Sequence, residues 1–145
     1  MILPDVNVLI YAHRTESPEH QAYASWLTGV VNGNEPFGLS ELVLSGVLRI
    51  VTNPRIFRAP TPLQTALAFV DQLRARPNAV HLQPGQRHWS IFKHLCRQTA
   101  ATGKLVADAY HAALALEHGC EWVTTDVDFA RFPDLRWRHP LRPAP

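Results

Sequence analysis

The sequence predicts an α/β protein, an α/β/α sandwich around a central, mostly parallel sheet of four to five strands. Short apolar runs alternate with stretches of helical periodicity along all 145 residues, the order that threads parallel strands between covering helices. The runs carry apolar residues on both faces, as strands buried under two helical layers do. Asn32-Gly33-Asn34, Asn53-Pro54, Thr102-Gly103 and Gly119 stand at the joints, where Gly, Asn and Pro end helices. With 46% hydrophobic and 18% charged residues, residues 1–145 are expected to close one core as a single domain.

In chain order, residues 2–5 read as a short buried strand, and residues 6–13 as the helix after it, with Val6, Leu9 and Ile10 near helical spacing. Ser17-Pro18 predicts the next helix start, a cap followed by Pro in the first turn, with Tyr23, Trp26, Leu27 and Val30 as its apolar stripe. Residues 37–39 are a second strand. Ser40 then caps a helix carrying Leu42, Val43, Val47, Leu48 and Val51, which stops before Pro54. After a connection rich in Pro and Arg, residues 63–76 read as helix with Leu67, Val70 and Leu73 inward. Residues 79–82 form a third strand, 86–100 and 104–118 two helices, 121–124 a fourth strand, and 135–137 a fifth.

Five acids sit in apolar or turn-forming stretches rather than on solvated faces: Asp5, Glu41, Asp108, Asp126 and Asp128. Asp5 and Asp126 follow strands, and open α/β sheets bind ligands outside the carboxyl ends of their strands. Two unit charges about 4 Å apart interact by roughly 4 kcal/mol near a protein surface, so carboxylates sharing one cleft require a cation. Oxygen donors without paired cysteines or a His-x-x-x-His spacing favour Mg²⁺, with Mn²⁺ possible, over zinc. Each acid also has a plainer role to weigh: Asp5, Asp126 and Asp128 as helix or turn caps, and Glu41 as a complement to a helix dipole. Asp108, between Ala107 and Ala109 on an apolar helix, lacks such a role.

The formal net charge is +2, but the five acids mask a basic frame. Residues 49–104 hold Arg49, Arg55, Arg58, Arg74, Arg76, Arg87, Lys93, Arg97 and Lys104 against Asp71 alone, an imbalance suited to a polyanion. Arg49, Arg55, Arg58, Arg87 and Lys104 are the candidate contacts to that polyanion. Cys96 and Cys120 lack spaced partners and read as unpaired thiols. The opening Met-Ile-Leu-Pro-Asp has no basic region before an apolar run, and no stretch of 18 apolar residues occurs, so a cytoplasmic protein without membrane contact is expected.

Four runs in order give the chain a family likeness: Pro-Asp-Val-Asn-Val-Leu-Ile-Tyr-Ala at Asp5, Ser-Glu-Leu at Glu41, Leu-Val-Ala-Asp-Ala-Tyr-His-Ala-Ala-Leu-Ala at Asp108, and Val-Thr-Thr-Asp-Val-Asp-Phe at Asp126. Together they resemble the PIN-domain ribonucleases, and within them the VapC toxins of bacterial VapBC toxin–antitoxin pairs. The resemblance covers nearly the whole chain. It implies a Mg²⁺- or Mn²⁺-dependent endoribonuclease of structured RNA, tRNA or rRNA, in which Asp5, Glu41, Asp108 and Asp126 hold the metal and Asp128 is a looser fifth position. It places Asn7 and Thr124 or Thr125 among residues that orient ligands, and implies a homodimer and a VapB-type antitoxin. One departure is Val6, where the family often has Thr or Ser. His111, three residues past Asp108, is a candidate supporting partner of that carboxylate. Two other readings stay open: a silent RNA- or protein-binding module, and a metal-independent nuclease using histidines such as His88 and His111.

Overall fold

The computed structural model describes residues 1–143. Five strands, β1 (Ile2–Pro4), β2 (Phe37–Ser40), β3 (Ala79–Leu82), β4 (Glu121–Val123) and β5 (Trp137–Arg138), form one sheet in the order β3-β2-β1-β4-β5. All four pairings are parallel, with Ile2 opposite both Phe37 and Glu121, and Trp122 opposite Trp137. Six helices flank it: α1 (Val6–His13), α2 (His20–Asn32), α3 (Glu41–Val51), α4 (Leu63–Arg74), α5 (His88–Thr99) and α6 (Lys104–Glu117).

The strand order fixes the layers. From β1 the chain steps outward to β2 and β3, then crosses back to β4 and moves the other way to β5. Right-handed crossovers put helices from the two directions on opposite faces; α1 accordingly packs on α2 and α3, α3 on α4, and α5 on α6. The direction reverses between β1 and β4. That switch point opens a crevice at the carboxyl edge of the sheet.

The central strands are buried as expected: Leu3, Trp122 and Val123 are fully covered and Phe37 nearly so, packed with Val8, Leu9, Val47, Leu95, Phe129 and Phe132 in one core cluster. Several expectations shift. Strand β3 is an edge strand with Val80 and His81 exposed, so burial on both faces holds only for the inner strands. Helix α2 begins at His20 rather than at Ser17-Pro18, because Ser17 and His20 close turns onto Arg14 and Ser17, and His20 Nδ1 pairs with the Tyr11 carbonyl at 2.9 Å. On α3 the inward residues are Val43, Leu44, Val47 and Val51, leaving Leu42 on the surface. On α4, Ala66 takes the core position and Leu67 is half-buried. Strand β5 starts at Trp137 because Leu135 closes a turn onto Phe132 after the 3₁₀ segment Val127–Arg131. Cys96 and Cys120 are free thiols, and among the described residues no helix is long and apolar enough to cross a membrane.

Candidate active site

Asp5 leaves β1 with its backbone N–H still in the sheet, donating to Val123 O at 2.9 Å. Its extended conformation lets it cap α1, with Oδ1 accepting from Val6 N at 2.6 Å. Its other oxygen, Oδ2, accepts from the Thr124 hydroxyl at 2.6 Å, and that same hydroxyl accepts from Asp126 N at 3.0 Å. Thr124 is fully buried, so one hydroxyl locks the end of β1 to the turn after β4. Asp126 in turn caps the 3₁₀ segment, with Oδ1 accepting from Asp128 N at 2.9 Å. The capping roles and the shared position at the switch point therefore coincide in the same residues.

Helix α6 runs back against the strands, so its first turns reach the same edge. Asp108 is buried there, and Lys104, one turn earlier, donates to Asp108 Oδ2 at 2.9 Å and to Asp126 Oδ2 at 2.7 Å. Burial pushes the Asp5 carboxyl up to about 6, against the pull of the Thr124 and Val6 donors, with Asp108 and Asp126 adding repulsion. Burial also raises Asp108, which Lys104 opposes while Asp126 and Asp128 reinforce it. Asp126 is half-buried too, but its bonds from Lys104 and Asp128 N win and its carboxyl ionises more readily than usual. The Lys104 ammonium loses some hydration, yet the two carboxylates hold its proton more firmly than in water.

The structure thus brings Asp5, Asp108 and Asp126 into one electrostatic cluster, with exposed Asp128 beside it. Glu41 stands apart. It opens α3 at the same edge, but its exposed carboxylate pairs with Arg74 at 3.4 Å. It lines a groove of about 880 Å³ with Leu42, Leu82, Phe92, Val106 and Tyr110, whose other wall includes Gly103 and Ala107 on the approach to Asp108. Asn7 is half-buried next to Asp5, and Thr125 half-buried next to Asp126.

Several sequence-based placements need correction. His111 makes no hydrogen bond to Asp108; its ring stacks on Trp122 at 5.4 Å, and Nδ1 is buried without a partner. Burial, with Lys104 adding repulsion, lowers its pKa to about 4. His88 is buried and spends Nε2 on the Tyr110 carbonyl at 3.0 Å, a structural commitment that leaves the two histidines without a shared site. Among the candidate phosphate contacts, Lys104 is an ion-pair partner of the acids rather than a free surface cation. Arg87 Nη2 donates to Glu117 O at 2.8 Å, at the end of α6 remote from Asp108. Arg49 is exposed in the last turn of α3, about 12 Å along the helix from Glu41 at 1.5 Å per residue. Arg55 and Arg58 are exposed in the connection after it. The basic residues are spread over the surface rather than gathered at the acids. Tyr23 is buried and Trp26 packs half-buried on the core, as the apolar stripe of α2 requires. Sequence reasoning missed the Arg74 pairing, which joins residues 33 apart. It also missed the Lys104 bridge, although the four-residue spacing of Lys104 and Asp108 marks neighbours on one helix face.

Among the described residues, no three Asp, Glu, His or Cys side chains stand where they could jointly hold a metal ion. Their chemistry nevertheless fits a hard divalent cation: the donors are carboxylate oxygens, Asp5 is short of compensation, and a cation, the Lys104 ammonium, already sits between two of them.

A parallel sheet in this order, with acids from β1, α6 and the turn after β4 at its switch point, defines a PIN-type α/β domain, and the PIN domain family model matches residues 2–135. The chain belongs to the PIN-domain family. Within it the chain stands among the VapC ribonucleases: it is 49% identical over 141 residues to ribonuclease VapC43 of Mycobacterium tuberculosis, covering 97% of this chain and 96% of the relative. Ribonuclease VapC25 of the same organism is 41% identical over 140 residues, covering 97% and 99%. Among solved structures, VapBC2 from Rickettsia felis bound to a promoter DNA fragment superposes with a TM-score of 0.69 at 17% identity, over 96% of this chain and 98% of that one. Mycobacterium tuberculosis VapC20, described as a sarcin-ricin loop cleaving toxin, superposes with a TM-score of 0.63 at 17% identity, over 90% and 93%. At that identity the likeness shows the fold.

Proposed function

We propose that the chain is a metal-dependent endoribonuclease toxin that hydrolyses phosphodiester bonds in structured cellular RNA, tRNA or rRNA, and is neutralised by a VapB-type antitoxin. The observation that carries this reading is the cluster of Asp5, Asp108 and Asp126 at the sheet's switch point, where burial raises the Asp5 carboxyl to about 6. A cap needs neither a second buried carboxylate nor a third, half-buried one beside it.

Asp5, Asp108, Asp126 and Asp128 hold Mg²⁺ or Mn²⁺ in this reading. Such a cation supplies a Lewis acid for the scissile phosphate and lowers the pKa of attacking water. The Thr124 hydroxyl keeps the Asp5 carboxylate turned toward the crevice, and the Asp128 N–H does the same for Asp126. Asn7 and Thr125, next to Asp5 and Asp126 in the chain, orient water or phosphate in this reading. Glu41 faces the crevice from α3 and joins the site when it exchanges Arg74 for substrate or cation. Hydrolysis in this manner leaves 5′-phosphate and 3′-hydroxyl ends. Arg49, Arg55, Arg58 and Arg87 contribute a diffuse field that gathers RNA, not a set of contacts at the cleaved bond.

The groove beside Glu41, with its apolar floor and the Glu41 carboxylate at its edge, suits an antitoxin segment carrying apolar side chains and one basic residue that takes the place of Arg74. A cytoplasmic homodimer of one-domain subunits completes the proposal. The test is incubation of the antitoxin-free protein with total cellular RNA in Mg²⁺, in Mn²⁺ and in EDTA, mapping new 5′ ends. Discrete metal-dependent cuts with 5′-phosphates, absent in Asp108→Asn, are expected. Cuts in EDTA would overturn the metal mechanism, and intact RNA in every tube would leave a binding module.

A further inference from the structure

Lys104 is the one basic side chain that the described residues place among the acids, and it bridges two of them, Asp108 at 2.9 Å and Asp126 at 2.7 Å. Its side chain is 67% exposed, so nothing but these two ion pairs holds the ammonium in place. The stem is long and flexible, and a lysine head is a strongly hydrated point charge that can leave to water. Its partners are the reverse: Asp108 is buried in α6, and Asp126 is fixed by the Asp128 N–H. The movable element is the lysine.

Second, the acids as they stand do not form a set able to hold a metal ion, and the ammonium takes up an oxygen from each of two of the carboxylates such a set would use. A divalent ion and the ammonium therefore compete for the same oxygens. We propose that Lys104 is a resident counter-ion of the acid cluster, which keeps the metal-free site assembled and must be displaced from Asp108 and Asp126 for Mg²⁺ or Mn²⁺ to bind. This rests on the reading of the acids as a metal site and adds that the chain carries its own competitor for that site. Metal affinity is then set partly by residue 104, and metal loading delivers a freed cation to the mouth of the crevice.

The chain has two lysines, Lys93 and Lys104, so selective ¹⁵N-lysine labelling yields two side-chain ammonium signals. Titrating the wild-type protein with Mg²⁺ is expected to shift the Lys104 signal toward that of a free lysine and leave Lys93 unchanged, with Lys104→Met assigning the peaks. By calorimetry, Lys104→Met is expected to bind Mn²⁺ about tenfold more tightly, the size expected from removing two partly exposed ion pairs that the metal no longer has to break. Thermal unfolding confirms that the variant is folded. Should saturable Mn²⁺ binding be seen and abolished in Asp108→Asn while the Lys104 signal stays fixed and Lys104→Met binds no tighter, the counter-ion role is wrong and the metal site stands. If wild type and Lys104→Met both bind no metal, the metal-site reading falls and takes this inference with it.

Discussion

Helix α1 carries a buried charge at each end, and the two are handled in opposite ways. Asp5 caps its N-terminus and Arg14 its C-terminus, 7% and 9% exposed, each with the sign that suits the helix dipole. The Arg14 guanidinium is surrounded by fixed acceptors: the Ala59 carbonyl at 2.8 Å, the Thr61 hydroxyl at 3.1 Å and the Glu16 carboxylate, with the Phe57 ring 4.0 Å beneath it. It pins the 52–62 connection to α1. Asp5 has two good donors but looks out on Asp108 and Asp126, and its carboxyl is pushed up to about 6. A buried charge with matched partners is architecture. One held short of compensation is a site awaiting a ligand.

The largest effect that would break this contrast is at Asp5. Asp5→Asn is expected to lower metal-dependent RNA cleavage by more than about 100-fold, since even partners of metal ligands cost 10–100-fold. The same substitution should stabilise the metal-free fold. Because the folded-state pKa lies above the ordinary 3.8, the native protein binds the extra proton between these values, so stability falls as pH rises through about 6 and the deficit is complete at pH 7. The shift corresponds to roughly 3 kcal/mol. An amide oxygen that keeps only one of the two donors returns about 1 kcal/mol of that, leaving a net gain of about 1–2 kcal/mol by urea unfolding at pH 7. An inactive but less stable variant would mean that Asp5 is chiefly a cap.

Arg14→Met is the opposite case. Removing the guanidinium leaves the Ala59 carbonyl and the Thr61 hydroxyl without their donor while the exposed Glu16 carboxylate returns to water, a cost of about 1–3 kcal/mol, and a clear drop in the urea midpoint is expected. Cleavage per folded molecule should stay within about twofold, because the affected connection shares no partners with the acids. Strong loss of turnover in folded Arg14→Met would show that the 52–62 segment belongs to the catalytic surface.

How far these roles were legible in the sequence differs along the same lines. The parallel sheet between helical layers was legible from the alternation of apolar runs and helical stretches, though the order of its strands was not, and Asp5, Asp108 and Asp126 stood out because acids in apolar surroundings are rare. Glu41 was legible as a candidate from its position after a strand, but its pairing with Arg74 depends on how α3 and α4 pack, which no local signal carries. Arg14, between Tyr-Ala-His and Thr-Glu, carries no local signal of its role, since its burial comes from a connection more than 40 residues later. The start of α2 was misplaced because Ser17-Pro18 has the composition of a cap, while the turn closed by Arg14 and Ser17 delays the helix to His20. Charge was the least transferable signal. The basic excess of residues 49–104 was real in sequence, but folding disperses Arg49, Arg55, Arg58 and Arg87 and spends Lys104 on ion pairs with the acids.

The smallest effect concerns His111, half-buried on α6 with its Nδ1 out of reach of water, whose pKa burial lowers to about 4. Here the unfolded chain takes up a proton at pH 6.5 that the fold refuses until about pH 4, so stability falls as the pH is lowered through that window, by at most about 1.4 kcal/mol per unit. Asp5 works in the opposite sense over an overlapping range, because there it is the fold that holds the proton. The two slopes offset one another in the wild type. Removing either exposes the other: Asp5→Asn should lose stability between pH 6 and pH 4 more steeply than wild type, whereas His111→Phe, which keeps a ring against Trp122 and deletes the unpartnered Nδ1, should lose it less steeply. A His111→Phe curve parallel to wild type beside a steeper Asp5→Asn curve would mean that His111 is solvated enough to titrate normally and that Asp5 alone carries an uncompensated burial; parallel curves for all three proteins would overturn both assignments.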